Sequence, residues 1–225
     1  MTTKILPINE QSLNQAAAII RSGGLVAFPT ETVYGLGADA LSPQAVKKIF
    51  EAKGRPGDNP LIVHISSPEN LPQIVREIPS EAETLLRRFA PGPLTLVLKR
   101  NYNIPNEVAA GLDTVGVRIP SHPAARAFIN ACGRPIAAPS ANLSGSPSPT
   151  SAQHVLADLS GRIEIILDGG PCSVGVESTV LSLTGPEPML LRPGGVTLEQ
   201  LKSVLPNVQV HKSVLNQGMV DKAAS

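Results

Sequence analysis

An α/β fold built on an open sheet is what this sequence predicts, and three observations carry it. Segments with a helical apolar period alternate with short apolar runs of strand length. Several of those runs end in polar loops punctuated by glycine and proline, the place where open α/β sheets bind ligands. The composition is that of an ordinary globular chain: of 225 residues 42% are hydrophobic and 16% charged, enough for a sizeable core.

Taken in order, Leu13, Ala16, Ala17 and Ile20 recur at helical spacing, so a helix runs from about Glu10 to Arg21 and ends at Gly23-Gly24. Leu25 to Phe28 reads as a buried strand, and Pro29 to Gly37 as a polar loop after it. Gly35 to Ala40 matches a loose GxGxxA dinucleotide fingerprint, with Asp58 at a fitting distance for a ribose. The fingerprint fails, because its helix must start within the glycines and here Ser42 is the N-cap and Pro43 the first helical residue. No glycine is followed by lysine, so there is no P-loop either. The Pro43 helix buries Val46, Ile49 and Phe50, and Leu61 to Ile65 is the next strand. Ser80-x-x-Glu83 reads as the capping box of a helix burying Ala82, Leu85, Leu86 and Phe89; strands follow at Leu94 to Leu98 and Val115 to Ile119. Ala125, Phe128, Ile129 and Cys132 mark a further helix before the strand Pro135 to Ala138. Thr150-x-x-Gln153 caps the next helix, then come strands at Ile163 to Leu167, Thr179 to Leu183 and Met189 to Leu191. A helix capped by Thr197-x-x-Gln200 and a strand near Val208 complete the unit, and Lys212 to Ser225 lacks apolar period and reads as linker.

Four stretches carry candidate chemistry. Lys53-Gly54-Arg55-Pro56-Gly57-Asp58-Asn59-Pro60 sets two cations on a backbone kept irregular by glycine and proline, which suits an anionic group such as a phosphate. The alternative is a solvated helix C-terminus, where basic residues are favoured by the dipole. Arg118 sits mid-strand on the same face as Gly116, whose missing side chain leaves room for a ligand; the alternative is an internal salt bridge. Ser140 and Asn142 lie in a hydroxyl-rich loop without a GxSxG elbow, so Ser140 is a better hydrogen-bond donor than nucleophile. Asp168 to Thr179 is rich in glycine and able to offer backbone N–H groups as an anion nest. His64, on the face of its strand opposite Val63, is by itself more often structural than a ligand.

Composition excludes some classes. A net charge of +1 with 3% aromatic residues and no tryptophan argues against a protein whose main role is to coat or stack on nucleic acid. The two cysteines, Cys132 and Cys172, form no CxxC, and the four histidines are scattered. Buried free thiols are therefore expected, with no zinc site and no redox cofactor. No apolar run approaches the ~18 residues of a membrane span and no signal-peptide h-region is present, so the expected location is cytoplasmic and away from membranes.

Together, Phe28 to Ala40, Lys53 to Ile65, Ala90 to Leu98, Leu112 to Pro120, Ala138 to Ser148 and Asp168 to Leu183 resemble the YrdC-like family of threonylcarbamoyl-adenylate synthases. The family's KxR…SxN set stands as Lys53, Arg55, Ser140 and Asn142, and its Pro-Thr-Glu-Thr-x-Tyr-Gly-Leu signature as Pro29 to Leu36. The resemblance implies a twisted open sheet of mixed direction, flanked by helices and enclosing a basic concave cleft. It implies an enzyme that joins L-threonine, bicarbonate and ATP into threonylcarbamoyl-AMP, with Mg²⁺ on the nucleotide through ligands the sequence does not specify. A partner protein, a tRNA-modifying transferase, would then act on the adenosine beside the anticodon, so tRNA is not required for the first step. Carried over position by position, threonine contacts are implied for Thr32, His64, Arg118, Ala138 and Ser178. ATP contacts are implied for Lys53, Arg55, Asn59, Thr114, Ser140, Asn142, Ser148 and Arg192, with Lys53 and Arg55 also screening charge in catalysis. An RNA-binding module of the same fold, or a related carbamoyl-adenylate-forming domain with another acceptor, are the competing readings. Residues 1–211 are expected to be the catalytic domain, and 212–225 a linker or tail, the second domain of the family's longer form being absent.

Overall fold

The computed structural model describes residues 2–215. Its eleven strands form one mixed sheet. In chain order the elements are β1 (Lys4–Pro7), α1 (Glu10–Arg21), β2 (Val26–Phe28), β3 (Gly35–Asp39), α2 (Pro43–Lys53), β4 (Ile62–His64), a 3-10 turn at Pro68–Gln73, α3 (Ser80–Phe89) and β5 (Leu94–Lys99). There follow α4 (Asn106–Ala109), β6 (Thr114–Arg118), α5 (Pro123–Cys132), β7 (Ile136–Ala137), α6 (Ala152–Leu159), β8 (Ile165–Asp168), β9 (Thr179–Ser182), β10 (Met189–Arg192), α7 (Leu198–Val204) and β11 (Gln209–Val210).

Strand order is β1-β8-β2-β3-β7-β4-β6-β5-β9-β10-β11. Parallel pairs (β1 with β8, β8 with β2, β4 with β6, β5 with β9, β10 with β11) are separated by antiparallel ones.

Strand alternation divides the core in two. Val26 and Phe28 of β2, with Ile165 and Leu167 of β8, pack against Ala16, Ala17 and Ile20 of α1 and Phe128 and Ile129 of α5. Their neighbours Ala27 and Ile166 point the other way, into the larger core with α2, α3, α6 and α7. In β4 and β6 the same period sends Val63, Val115 and Val117 to the larger core. His64 and Arg118, which pair in register, face the opposite side. That side is the one α1 and α5 cover over β2 and β8, so the site lies on the sheet face beside this helix pair.

Helix caps follow the sequence with two shifts. Ser42 caps α2 ahead of Pro43, and Thr197 with Gln200 forms the capping box of α7. Ser80, expected as a cap, is the first residue of α3; Pro79, extended at φ −65°, precedes it, and the Ser80 hydroxyl bonds Glu81 instead. Ser151, one residue beyond the expected Thr150, caps α6 by accepting from the His154 N–H. The expected loop Pro29 to Gly37 gives its last residues to β3, which pairs with β2. Its glycines are steric: a Cβ on Gly37 would stand 2.8 Å from Ile136 and 3.0 Å from the Phe28 ring. Strand β1 carried no expectation; it closes one edge of the sheet beside β8. At the other edge β11 is followed by a helical turn at 212–215, and the rest of the expected linker, 216–225, lies outside the described residues.

Candidate active site

Three loops meet above β4 and β6. The first, Pro29 to Tyr34, is folded by Thr30, whose hydroxyl donates to the Val33 carbonyl at 2.6 Å and accepts from the Thr32 and Val33 N–H groups at 3.2 Å. The second, Pro139 to Pro149, is tied to it: the Tyr34 N–H donates to Pro149 O and the Ala141 N–H to Tyr34 O, both 2.8 Å. The third, after β8, is fastened by the buried Tyr34 phenol, which donates to Gly170 O at 2.7 Å and accepts from the Gly169 N–H at 3.2 Å. Burial pushes the Tyr34 hydroxyl up to about 12, so it stays protonated and able to donate.

The loops and the strand face border an open cavity of ≈ 140 Å³. Of the residues expected to bind substrates, Thr32, Arg55, His64, Arg118, Ala138, Ser140, Ser178 and Arg192 line it. Three arginines therefore face one lining carboxylate, Glu177. Among the described residues no group of three His, Cys, Asp or Glu is placed to hold a metal ion.

Arg118 is buried, with 4% exposure, and heavily committed. It donates to Glu31 Oε1 at 2.7 Å, to the Thr32 hydroxyl at 2.9 Å and to Gly92 O at 3.3 Å. The internal salt bridge weighed as an alternative at this position is thus present. The space expected beside Gly116 is filled: a Cβ there would meet Thr95 Cγ2 at 3.2 Å and Ile62 Cγ1 at 3.5 Å. Burial holds the guanidinium below its ordinary value and Glu31 opposes that.

His64 is neutral. Burial, and then the charge of Arg118, lower it to about 3. Its ring meets Phe28 edge-on at 5.9 Å, and its Nδ1 has no hydrogen-bond partner among the described residues. A buried imidazole nitrogen without a partner, in a ring that lines a cavity, is a place for a ligand's polar atom.

Lys53 departs from the expectation of a cation presented on a loop. It is the last residue of α2, before the left-handed Gly54, and it is 3% exposed. Its ammonium donates to the carbonyls of Ser140 and Asn142, the latter at 2.6 Å, with Asn142 Oδ1 at 3.5 Å. Burial, with Arg55 second, lowers it to about 8. Asn142 in turn donates to Leu143 O and Ser146 O at 2.8 and 2.7 Å. Lys53 and Asn142 therefore sit behind the Ser140 loop and shape it, while Arg55 and Ser140 are at the cavity.

The remaining expected residues do not line the cavity. Ser148 donates to Glu177 Oε1 at 3.1 Å, and Asn59 is exposed beside Asp58. Thr114 opens β6, across from Lys99. Arg192 pairs with Glu177 Oε2 and donates to the Ser178 carbonyl at 2.9 Å and hydroxyl at 3.1 Å; Ser178 Oγ meets Thr95 Oγ1 at 2.8 Å. In the glycine-rich loop five N–H groups are spent within the protein, Gly169 on Tyr34, Gly170 on Asp168, Cys172 on Thr150, Val174 on Glu31 and Thr179 on Pro93, so part of the anion nest expected there is consumed. Both cysteines are free thiols; Cys132 is buried and Cys172 half-buried.

Sequence reasoning passed over Glu31 and Glu177. The signal for Glu31 was available: a buried mid-strand arginine demands a carboxylate, and Glu31 is an acidic residue in an otherwise uncharged loop. Glu177 gave none, since its partners Ser148 and Arg192 are distant in sequence.

A threonylcarbamoyl-AMP synthase of Pyrococcus abyssi is 57% identical over 212 residues, 94% of this chain and 62% of the relative. One of Bacillus subtilis is 55% identical over 216 residues, with 96% and 62% covered. The chain thus spans about three fifths of the length of these relatives. The crystal structure of P. abyssi Sua5 complexed with L-threonine superposes with a TM-score of 0.92 at 55% identity, over 96% of this chain and 64% of that one. The structure of Escherichia coli YciO gives 0.78 at 26% identity, over 85% and 96%. The Sua5/YciO/YrdC profile, described as telomere recombination, matches residues 18–194. The shared sheet and the matched residues make this chain a member of the Sua5/YciO/YrdC family.

Proposed function

We propose that this chain makes threonylcarbamoyl-AMP and pyrophosphate from L-threonine, bicarbonate and ATP. The observation that carries the reading is the meeting, on one cavity, of residues implied for both substrates: Thr32, His64, Arg118, Ala138 and Ser178 for threonine, and Arg55, Ser140 and Arg192 for ATP. The P. abyssi relative, solved in complex with L-threonine, supports threonine as the amino acid.

The chemistry asks for little beyond position and charge. Bicarbonate takes up a proton and loses water to give carbon dioxide, threonine's neutral amine adds to it and releases a proton, and an oxygen of the resulting carbamate attacks the α-phosphorus of ATP as pyrophosphate departs. Two anions must approach each other. Arg118 receives the amino-acid carboxylate, and Arg55 and Arg192 offset the triphosphate. Lys53 and Asn142 act through the backbone of the Ser140 loop. Neutral His64 offers its free Nδ1 to a polar atom of the amino acid without adding charge. Asn59, Thr114 and Ser148 belong to the nucleotide's outer reach. Mg²⁺ arrives with ATP, and one or two protein carboxylates suffice for such an ion; Glu177 is the carboxylate that lines the cavity. Residues 1–211 form the catalytic unit in this reading, with 212–225 a linker. The product passes to a tRNA-modifying transferase in the cytoplasm. No helix among the described residues is long and apolar enough to cross a membrane.

Pyrophosphate release, measured with each component omitted in turn, tests the reading. It should require ATP, L-threonine and bicarbonate, and proceed without RNA. Release indifferent to threonine, or strictly dependent on tRNA, would overturn it.

A further inference from the structure

Arg118 already has a carboxylate partner inside the protein. Glu31 is 5% exposed and outside the cavity lining, yet it organises what lies behind the guanidinium. Its Oε1 accepts from Arg118 and its Oε2 from the Ser121 N–H at 3.1 Å; its own carbonyl accepts from the Val174 N–H at 2.8 Å. A guanidinium has five N–H donors. Three of Arg118's are spent, on Glu31, Thr32 and Gly92, which leaves one on each terminal nitrogen. Two N–H groups are enough for a bidentate carboxylate. The charge they carry is already balanced by Glu31.

We propose that Glu31 is a resident counter-ion that competes with the substrate's carboxylate for the charge of Arg118, and so sets how weakly the site holds an amino acid. The proposal rests on the threonine reading above. It follows from the cost of a buried, unpaired charge. With Glu31 present the charge of Arg118 is balanced, and an arriving carboxylate gains only what the paired guanidinium still offers. Without it, the buried cation lacks its counter-ion, which is strongly destabilising, and a ligand carboxylate supplies what is missing. Arg118 keeps its position in that case, because Thr32 and Gly92 still hold it. The consequence for catalysis is turnover: a site that clamped carboxylates would also retain its product.

Glu31→Gln separates this role from a merely structural one. Arg118 and the Ser121 N–H use different oxygens of Glu31, and in the amide one of these positions becomes an NH2 donor facing another donor, so the variant is expected to melt at a lower temperature. Its affinity for L-threonine, measured by calorimetry, is expected to rise by about tenfold or more, and the upward shift of its melting temperature with threonine should exceed that of the unsubstituted protein. Glu31→Asp, which keeps the charge, should stay within about threefold of the original affinity. If Glu31→Gln does not fold alone, threonine must restore a cooperative melt. Unchanged or weaker threonine binding by a folded Glu31→Gln, or no restoration at threonine concentrations that saturate the original protein, overturns the proposal. Absence of threonine binding by the unsubstituted protein would instead overturn the substrate reading.

Discussion

Lys53 and Arg55 are two residues apart and carry the same charge, yet the structure gives them different work. Arg55 lines the cavity, while Lys53 is buried with its ammonium on two backbone carbonyls of the neighbouring loop. Lys53→Ala therefore removes a buried donor and leaves those carbonyls without a partner, at a cost of about 2–4 kcal/mol in stability. Arg55→Ala touches no core and should shift stability by no more than about 0.5 kcal/mol. Both should slow pyrophosphate release. Denaturation and single-turnover kinetics on the pair check this: equal losses of stability in the two variants would show that Lys53 does not hold the loop. Only half of this was legible beforehand. A Lys-Gly-Arg loop announces cations near a ligand, but whether a lysine side chain runs outward or under its neighbour depends on which carbonyls the tertiary fold brings to it.

At the scale of elements, periodicity served well where side chains follow it and failed where glycine replaces them. Alternation put His64 and Arg118 on the faces opposite Val63 and Val117, and the structure agrees. The helix ends at Ser42 and Thr197 were readable because a capping hydroxyl marks them locally. Strand β3 was not readable, since Gly35-Leu36-Gly37-Ala38-Asp39 has neither β-branched nor aromatic residues and resembles a loop in composition. What makes it a strand is non-local: the Phe28 ring and Ile136 occupy the space its glycines leave open. Gly37→Ala tests that account. The added methyl would overpack this contact at a cost of about 1–3 kcal/mol, and because β3 follows the Thr30 to Tyr34 loop, threonine affinity should fall with stability. A variant as stable as the parent would show that the strand tolerates a side chain and that packing does not explain its glycine.

For the whole molecule, ionisable groups buried at and behind the cavity make global stability depend on pH. Distant segments from Thr30 to Arg192 meet there, which is why no single stretch of sequence displayed the site in full and why Glu177 escaped notice. His64 contributes the clearest pH term. Its value falls from an ordinary 6.5 to about 3 in the folded protein, so between these limits the unfolded chain binds the extra proton and the native state does not. Stability from this group is therefore fully present above pH 6.5 and is lost as the pH falls toward 3, with a slope of up to about 1.4 kcal/mol per pH unit. Lys53 adds a second window. Its value drops from 10.5 to about 8, and the unfolded chain again holds more protons, so stability from Lys53 rises from pH 8 to 10.5. Carboxylates titrate over the acid window as well, so the histidine term has to be isolated by difference. Urea unfolding of the parent and of His64→Gln at intervals from pH 4.5 to 7 does this. The parent's unfolding free energy should fall more steeply toward acid than the variant's, by close to one proton's worth of slope. Parallel curves for the two proteins would mean that His64 binds its proton equally in the native and unfolded states, so that burial does not lower it and it is a cation below about pH 6.5.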